Sequence, residues 1–198
     1  GPSGKEAEIY IYDTLSGGAG FSHEIQKHQK EILENALSIL GSCENNECIS
    51  SCYRCLRSYK NKLDHKNLDR SIGFSLLNHI LNNKKVEINK SRYDYCLNLL
   101  EYSLKRLLKN QYRINTIHKI SFNGKEVICP IYIETVNGEN QTIITVESCL
   151  LEEDHCSDAS IDEIRKGMND YNVIPINELI ILNNIQIAVN EIYESIVS

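Results

Sequence analysis

Four cysteines, Cys43, Cys48, Cys52 and Cys55, fall within thirteen residues at the spacing C-x4-C-x3-C-x2-C. No other feature constrains the chain as strongly. Four thiols converging from one short loop are poorly suited to packing, but they are the soft donor set that a tetrahedral zinc ion takes. With no donor position left open, the site reads as structural, and zinc is the expected cofactor. Binding energies of about 10–16 kcal/mol for such sites would dominate the stability of a small domain.

The remaining cysteines, Cys96, Cys129, Cys149 and Cys156, are scattered. They do not form the spaced pairs of a secreted disulfide framework, so reduced thiols and a cytoplasmic location are expected. No apolar run approaches the roughly 20 residues that span a bilayer, and no membrane partner is expected. Gly1-Pro2-Ser3-Gly4 reads as the remnant of a cleaved tag, and residues 1–7 are set aside as scar and linker. A strand pattern begins immediately afterwards, as expected of a piece cut from a longer protein.

The net charge of −6 hides a strong polarity. Between Ile49 and Arg70 six basic residues face two acidic ones, a surplus of +4, whereas between Thr145 and Ser198 two basic residues face eleven acidic ones, a deficit of −9. Beside the cysteines, Tyr53, Arg54, Arg57, Tyr59, Lys60, Lys62 and Arg70 mix cations with aromatic rings, a composition suited to phosphate contact and base stacking. DNA is the partner such a face fits, and the bland alternative is a solvated surface with two half-buried tyrosines.

Hydrophobic periodicity divides the chain into a module over 8–88 and an α/β domain over 89–198. In the first, Glu8 to Asp13 reads as a strand, and Gly17-Gly18-Ala19-Gly20 as a tight turn without the Lys-Ser/Thr of a phosphate loop. A helix then runs from an N-cap at Ser22 to Leu40 with Gly41 as its stop, and another over about 68–81. In the second, the apolar positions from Tyr93 to Leu108 mark a helix. Asn123-Gly124 and Asn137-Gly138 mark hairpins between three strands. Pro130 implies an edge or a bulge in the middle strand. Ser160-x-x-Glu163 opens a helix to about Tyr171, Glu178–Leu182 reads as a strand, and a last helix closes the chain. The expected class is therefore α/β (α+β): a four-cysteine strand-helix-loop-helix module, then α-β-β-β-α-β-α.

Cys48-x3-Cys52-x2-Cys55 also fits the three-cysteine iron–sulfur pattern of radical S-adenosylmethionine enzymes. Arg54 stands where those enzymes place an aromatic residue, and the chain lacks room for their barrel, so zinc is preferred. His65 is an alternative fourth donor, ten residues past Cys55. Asp154-His155-Cys156 reads as a solvated acidic loop.

Ile11-Tyr12-Asp13-Thr14 with the glycine turn, then Cys52-Tyr53-Arg54-Cys55-Leu56-Arg57-Ser58-Tyr59, then Leu68-Asp69-Arg70, resembles the MrfA-type zinc-binding domain over about residues 8–82. That family occurs at the C-termini of bacterial DEAD/DEAH-box helicases and in the DrmB component of the DISARM phage-defence system. The resemblance implies a non-catalytic zinc-holding accessory module of a bacterial DNA-processing or antiviral defence complex. Its four cysteines would be the ligands, and a helicase domain or subunit its partner. One departure is the spacing of the first two cysteines, which in the family commonly lie closer together than Cys43 and Cys48. No helicase motif and no small-molecule site is evident.

The second half resembles, more distantly, the α-β-β-β-α-β core of PD-(D/E)xK nucleases. Active members use an acid on the second core strand and D/E-x-K on the third to hold a divalent metal. Here Glu147 fits the third strand, but Cys149 stands in the lysine's place. Cys129-Pro130-Ile131 occupies the other position, leaving Glu134 as its weak substitute. An inactive remnant is expected, the alternatives being a divergent nuclease using Glu147 and Glu134 or a pure protein–protein scaffold.

Overall fold

The computed structural model describes residues 8–10, 21–108, 111–138, 140–152, 155–167 and 170–197. The chain divides into two compact units, 1–86 and 87–198. The glycine turn and residues 11–13 of the expected strand lie outside the described residues, and residues 8–10 are not in a strand.

In the first unit the expected single helix is two: α1 (Phe21–Lys27) and α2 (Gln29–Gly41). Ser22 therefore lies inside a helix rather than capping one. The break falls at His28, whose φ of −115° and ψ of 24° leave the helical region. Its imidazole meets Glu24 and Glu31, one on each side of the break. A 3-10 helix spans Tyr59–Asn67, opened by a capping box in which Ser58 N–H donates to Asn61 Oδ1. Then α3 runs Arg70–Asn82. The Asp69 carboxylate caps it by accepting from Ser71 and Ile72 N–H, and Asn83 ends it in the left-handed conformation at φ 51°.

Gly41 has a different task from the expected stop. It is the last residue of α2, and a Cβ there would sit 2.9 Å from the Phe74 ring; a Cβ at Gly73 would sit 3.1 Å from Leu40 Cδ1. Each glycine thus receives a side chain from the facing helix, letting α2 and α3 approach closely.

In the second unit α4 (Lys90–Leu108) precedes β1 (Tyr112–Phe122), β2 (Lys125–Thr135) and β3 (Gln141–Glu147). Then come α5 (Ala159–Lys166), β4 (Tyr171–Asn177), α6 (Glu178–Asn183) and α7 (Ile185–Val197). The sheet order is β1-β2-β3-β4, antiparallel except for the parallel β3–β4 pair. Because side chains alternate along a strand, Ile131, Ile133, Ile144 and Val146 join Leu100 and Leu104 of α4 and Ile192 of α7 in one core. On the other face Tyr132 and Ile143 pack with Ile161 and Ile164 of α5. Covered on both faces, β3 is buried at six of seven positions.

Three expectations differ from the structure of this unit. Residues 178–183 form α6, not a strand: the strand is Tyr171–Asn177, and the Asn177 side chain accepts from Leu179 N–H to start the helix. The helix after Cys156 is capped by Asp158, which accepts from Ser160 and Ile161 N–H, and ends at Lys166 rather than near Tyr171. Cys156 itself is buried in the core, not in a solvated loop; Asp154 lies outside the described residues.

Asn123 and Gly124 both have positive φ, 49° and 75°, the geometry of a two-residue hairpin turn. Pro130 lies in an inner strand, but the ladder yields around it. The β1–β2 register skips both Pro130 and Ile117, which takes φ 54°, and pairing of β2 with β3 stops at Ile131.

Candidate metal centre

The cysteine loop leaves α2 after Ser42 and rejoins the helical scaffold at α3. Two turns present the sulfurs. Cys48 N–H donates to Asn45 O at 3.0 Å, while Cys55 and Arg57 N–H both donate to Cys52 O, at 3.1 and 3.0 Å. The result is a tetrad in which Cys43 Sγ lies 3.7 Å from Cys52 Sγ, and Cys55 Sγ lies 3.8 Å from both Cys48 and Cys52. All four sulfurs lie within 4.8 Å of one another. A regular tetrahedron with zinc–sulfur bonds of about 2.3 Å has edges of roughly 3.8 Å, so these donors fit zinc. Among the described residues this is the group of three or more His, Cys, Asp or Glu side chains gathered closely enough to hold a metal ion.

The alternative donor does not join them. His65 Nε2 lies 2.9 Å from Ser58 O and 3.1 Å from Asn61 Oδ1, and its ring meets Tyr53 edge-on. Despite its wider spacing, Cys43 is part of the tetrad.

The environment of the four thiols is uneven. Burial pushes Cys48 up to about 12. The Arg54 backbone N–H, hydrogen-bonded to Cys52, draws that thiol down to about 6. Cys52 N–H also donates to Cys55 Sγ at 3.1 Å. Such N–H groups stabilise thiolate, the form a metal binds, and a coordinated cation removes the remaining thiol protons outright.

The residues expected to face nucleic acid separate into two sets. Tyr53, Arg54, Tyr59, Lys60 and Lys62 are exposed, Tyr59 at 87%. Arg57 and Arg70 are turned inward instead. Arg57 Nε donates to Ser51 Oγ at 3.0 Å, and the Arg70 guanidinium donates to Leu40 O at 3.0 Å. Leu63, not singled out from sequence, is 91% exposed on the same 3-10 helix.

The nuclease candidates do not assemble. Glu134 pairs in register with Gln141 at the start of β3 and meets Arg113 at 3.8 Å. Glu147 ends β3, six residues further on, roughly 20 Å away at about 3.3 Å per residue. Two carboxylates so separated cannot share one ion. Glu147 is buried and accepts from Ser157 N–H at 2.9 Å and Ser157 Oγ at 2.5 Å. Sequence reasoning missed the neighbouring ion pair between Arg92 at the start of α4 and Glu178 at the start of α6, both buried. Its only sequence signal was Asn177 as a helix N-cap directly before Glu178.

The first unit is thus defined by its site as a helical module pinned through a four-thiolate zinc centre. The family model described as MrfA Zn-binding domain matches residues 2–56, a span that takes in residues 2–7 and all four cysteines. Over 74 residues the chain is 39% identical to Druantia protein DruE of Escherichia coli (strain UMEA 4076-1), covering 37% of this chain and 4% of that protein. The chain thus corresponds to a small part of the length of the curated relative it matches. No solved structure matches. The relative carries the name Druantia, where the motif resemblance had pointed to DISARM.

No described helix is long and apolar enough to cross a membrane. None of the eight cysteines is in a disulfide.

Proposed function

We propose that this chain is the zinc-holding, non-catalytic part of a bacterial phage-defence or DNA-processing protein, working in the cytoplasm beside a helicase domain or subunit. Its first unit contacts DNA. The observation that carries the DNA contact is the exposed set Tyr53, Arg54, Tyr59, Lys60 and Lys62 next to the metal loop. Lys66, also exposed, extends the basic surface along the same 3-10 helix. Cations there can neutralise phosphates, and unburied tyrosine rings can stack on bases. The resemblance to DruE supports the defence setting.

Binding of fluorescent DNA is measured against salt for the wild type and for the double variant Arg54→Glu, Lys60→Glu. Removing two phosphate contacts should weaken binding and flatten the salt dependence by roughly 0.7–0.9 per contact. Unchanged affinity would reject the DNA role. It would favour a second reading, docking onto a partner protein, which the 91% exposure of Leu63 among these cations supports.

A further inference from the structure

We propose that His65 is a positioning residue for the nucleic-acid face: anchored by Ser58 and Asn61, its imidazole sets the Tyr53 ring ready to stack on a base. The inference rests on the DNA reading and deepens it, because it assigns a role at that face to a residue that is itself half-buried.

The 3-10 helix that carries the face is not fixed by packing. It runs nine residues, Tyr59–Asn67, and none of them is buried. Helices of this kind seldom exceed about three or four residues. Asn61, inside it, departs from helical geometry at φ −108° and ψ 26°. Polar contacts must therefore hold the segment in place.

Those contacts converge on Asn61 and His65. Asn61 Nδ2 donates to Leu56 O at 2.8 Å, and Asn61 Oδ1 accepts from Ser58 N–H at 2.7 Å. His65 Nε2 closes the network. It lies 2.9 Å from Ser58 O and 3.1 Å from Asn61 Oδ1, both acceptors, so Nε2 carries the proton and donates. Leu56 directly follows Cys55, so the network ties the helix to the metal loop at its last cysteine.

Tyr53 directly follows Cys52 and meets the anchored imidazole with ring centroids 5.4 Å apart and planes at 86°. Aromatic pairs favour this perpendicular arrangement. Yet Tyr53 remains 70% exposed. The tyrosine is braced by a ring pinned at Nε2 and open to solvent over most of its surface. A stacking platform needs both properties: a free π-face for the base, and a ring already ordered, so that binding does not have to immobilise it. Tyr59, at 87% exposure, has no ring braced against it among the described residues.

The test uses the full 198-residue chain and a fluorescent single-stranded oligonucleotide, whose unpaired bases are free to stack. Tyr53→Ala should weaken binding about 5–150-fold, the scale of one base–aromatic stack. His65→Gln keeps a donor but removes the ring, and should weaken binding about 2–12-fold, the cost of ordering one side chain on binding. Because no phosphate contact is lost, the salt dependence should keep its wild-type slope. The double variant should bind no more weakly than Tyr53→Ala alone, as expected of a residue that acts through another. His65→Phe restores a ring without the anchor. It should recover part of the loss, and serves where the glutamine variant folds poorly. Zinc content should match the wild type in all four variants.

Fully additive losses in the double variant would overturn the proposal, as would wild-type affinity in both His65 variants. So would a flattened salt slope in His65→Gln, which would make the imidazole itself a phosphate contact. Wild-type protein that does not bind the oligonucleotide would instead overturn the DNA reading itself, and this inference with it.

Discussion

The two units reach a stable fold by different routes. In the first, α2 contributes no buried residue and α3 contributes only Leu77. The buried side chains of the intervening loop are Cys48 and Ser51, at the metal centre. In the second, α4 alone buries Cys96, Leu100, Leu104 and Leu108, and apolar clusters lie against both faces of the sheet. Ordering the backbone costs about 1–2 kcal/mol per residue. The second unit offsets this by removing apolar surface from water. Among its described residues the first unit has little such surface to bury, so the ion must supply what the core does not. One unit is conditional on its cofactor; the other is not.

The largest effect that could break this contrast is metal removal. With about 10–16 kcal/mol of folding free energy tied to a structural zinc site, a strong chelator should unfold the first unit and leave the second intact. Amide resonances of residues 21–86 should collapse to unfolded positions while those of 87–197 keep their dispersion. A first unit that stays folded without metal would show that its helices suffice, and the contrast would fail.

Next in size is the ion pair inside the second unit. Arg92 and Glu178 are both buried, and α4 and α6 each supply one partner. Glu178→Gln leaves a buried guanidinium without its countercharge, at a cost of about 3–5 kcal/mol. The expected result is a lower urea midpoint for the second unit with zinc content unchanged. Loss of zinc in this variant would mean that the units do not fold independently.

What could be read from sequence follows the same division. The metal ligands were legible because four thiols in thirteen residues have few other uses, and the chemistry is local. The amphipathic stripe Cys96, Leu100, Leu104 and the Asn123-Gly124 turn were legible for the same reason: periodicity and positive φ are local properties. Failures came where tertiary context decides. Arg70 carries the same charge as Lys60, and nothing in its neighbours along the chain reveals that its guanidinium turns to Leu40 O. Glu178 begins an apolar run, Glu-Leu-Ile-Ile-Leu, that fits strand or helix equally, and the Asn177 cap together with pairing of β3 to residues 171–177 settles it. Glu134 stood as a weak substitute for the acid that would partner Glu147, until the register set it beside Gln141, at the far end of β3 from Glu147. Gly41 sits where a helix stop is expected, yet its missing Cβ serves the Phe74 ring.

The smallest effect sharpens the comparison most, because the same device occurs once in each unit. Asp69 opens α3 by accepting from Ser71 and Ile72 N–H at 3.0 and 3.2 Å. Asp158 opens α5 by accepting from Ser160 and Ile161 N–H at 2.8 and 3.1 Å. In both, the pattern is Asp-x-Ser-Ile, and replacing the aspartate with alanine should cost about 1 kcal/mol of helix capping. The readouts should differ in their dependence on zinc. Asp158→Ala should lower the urea midpoint of the second unit with or without zinc. Asp69→Ala should lower the urea midpoint of the first unit only when zinc is loaded, and should show the same free energy as a roughly five-fold weaker hold on zinc in chelator competition, because folding and binding are linked. If instead Asp69→Ala lowers the urea midpoint of the first unit while zinc affinity stays at the wild-type value, the folding of that unit is not coupled to its metal.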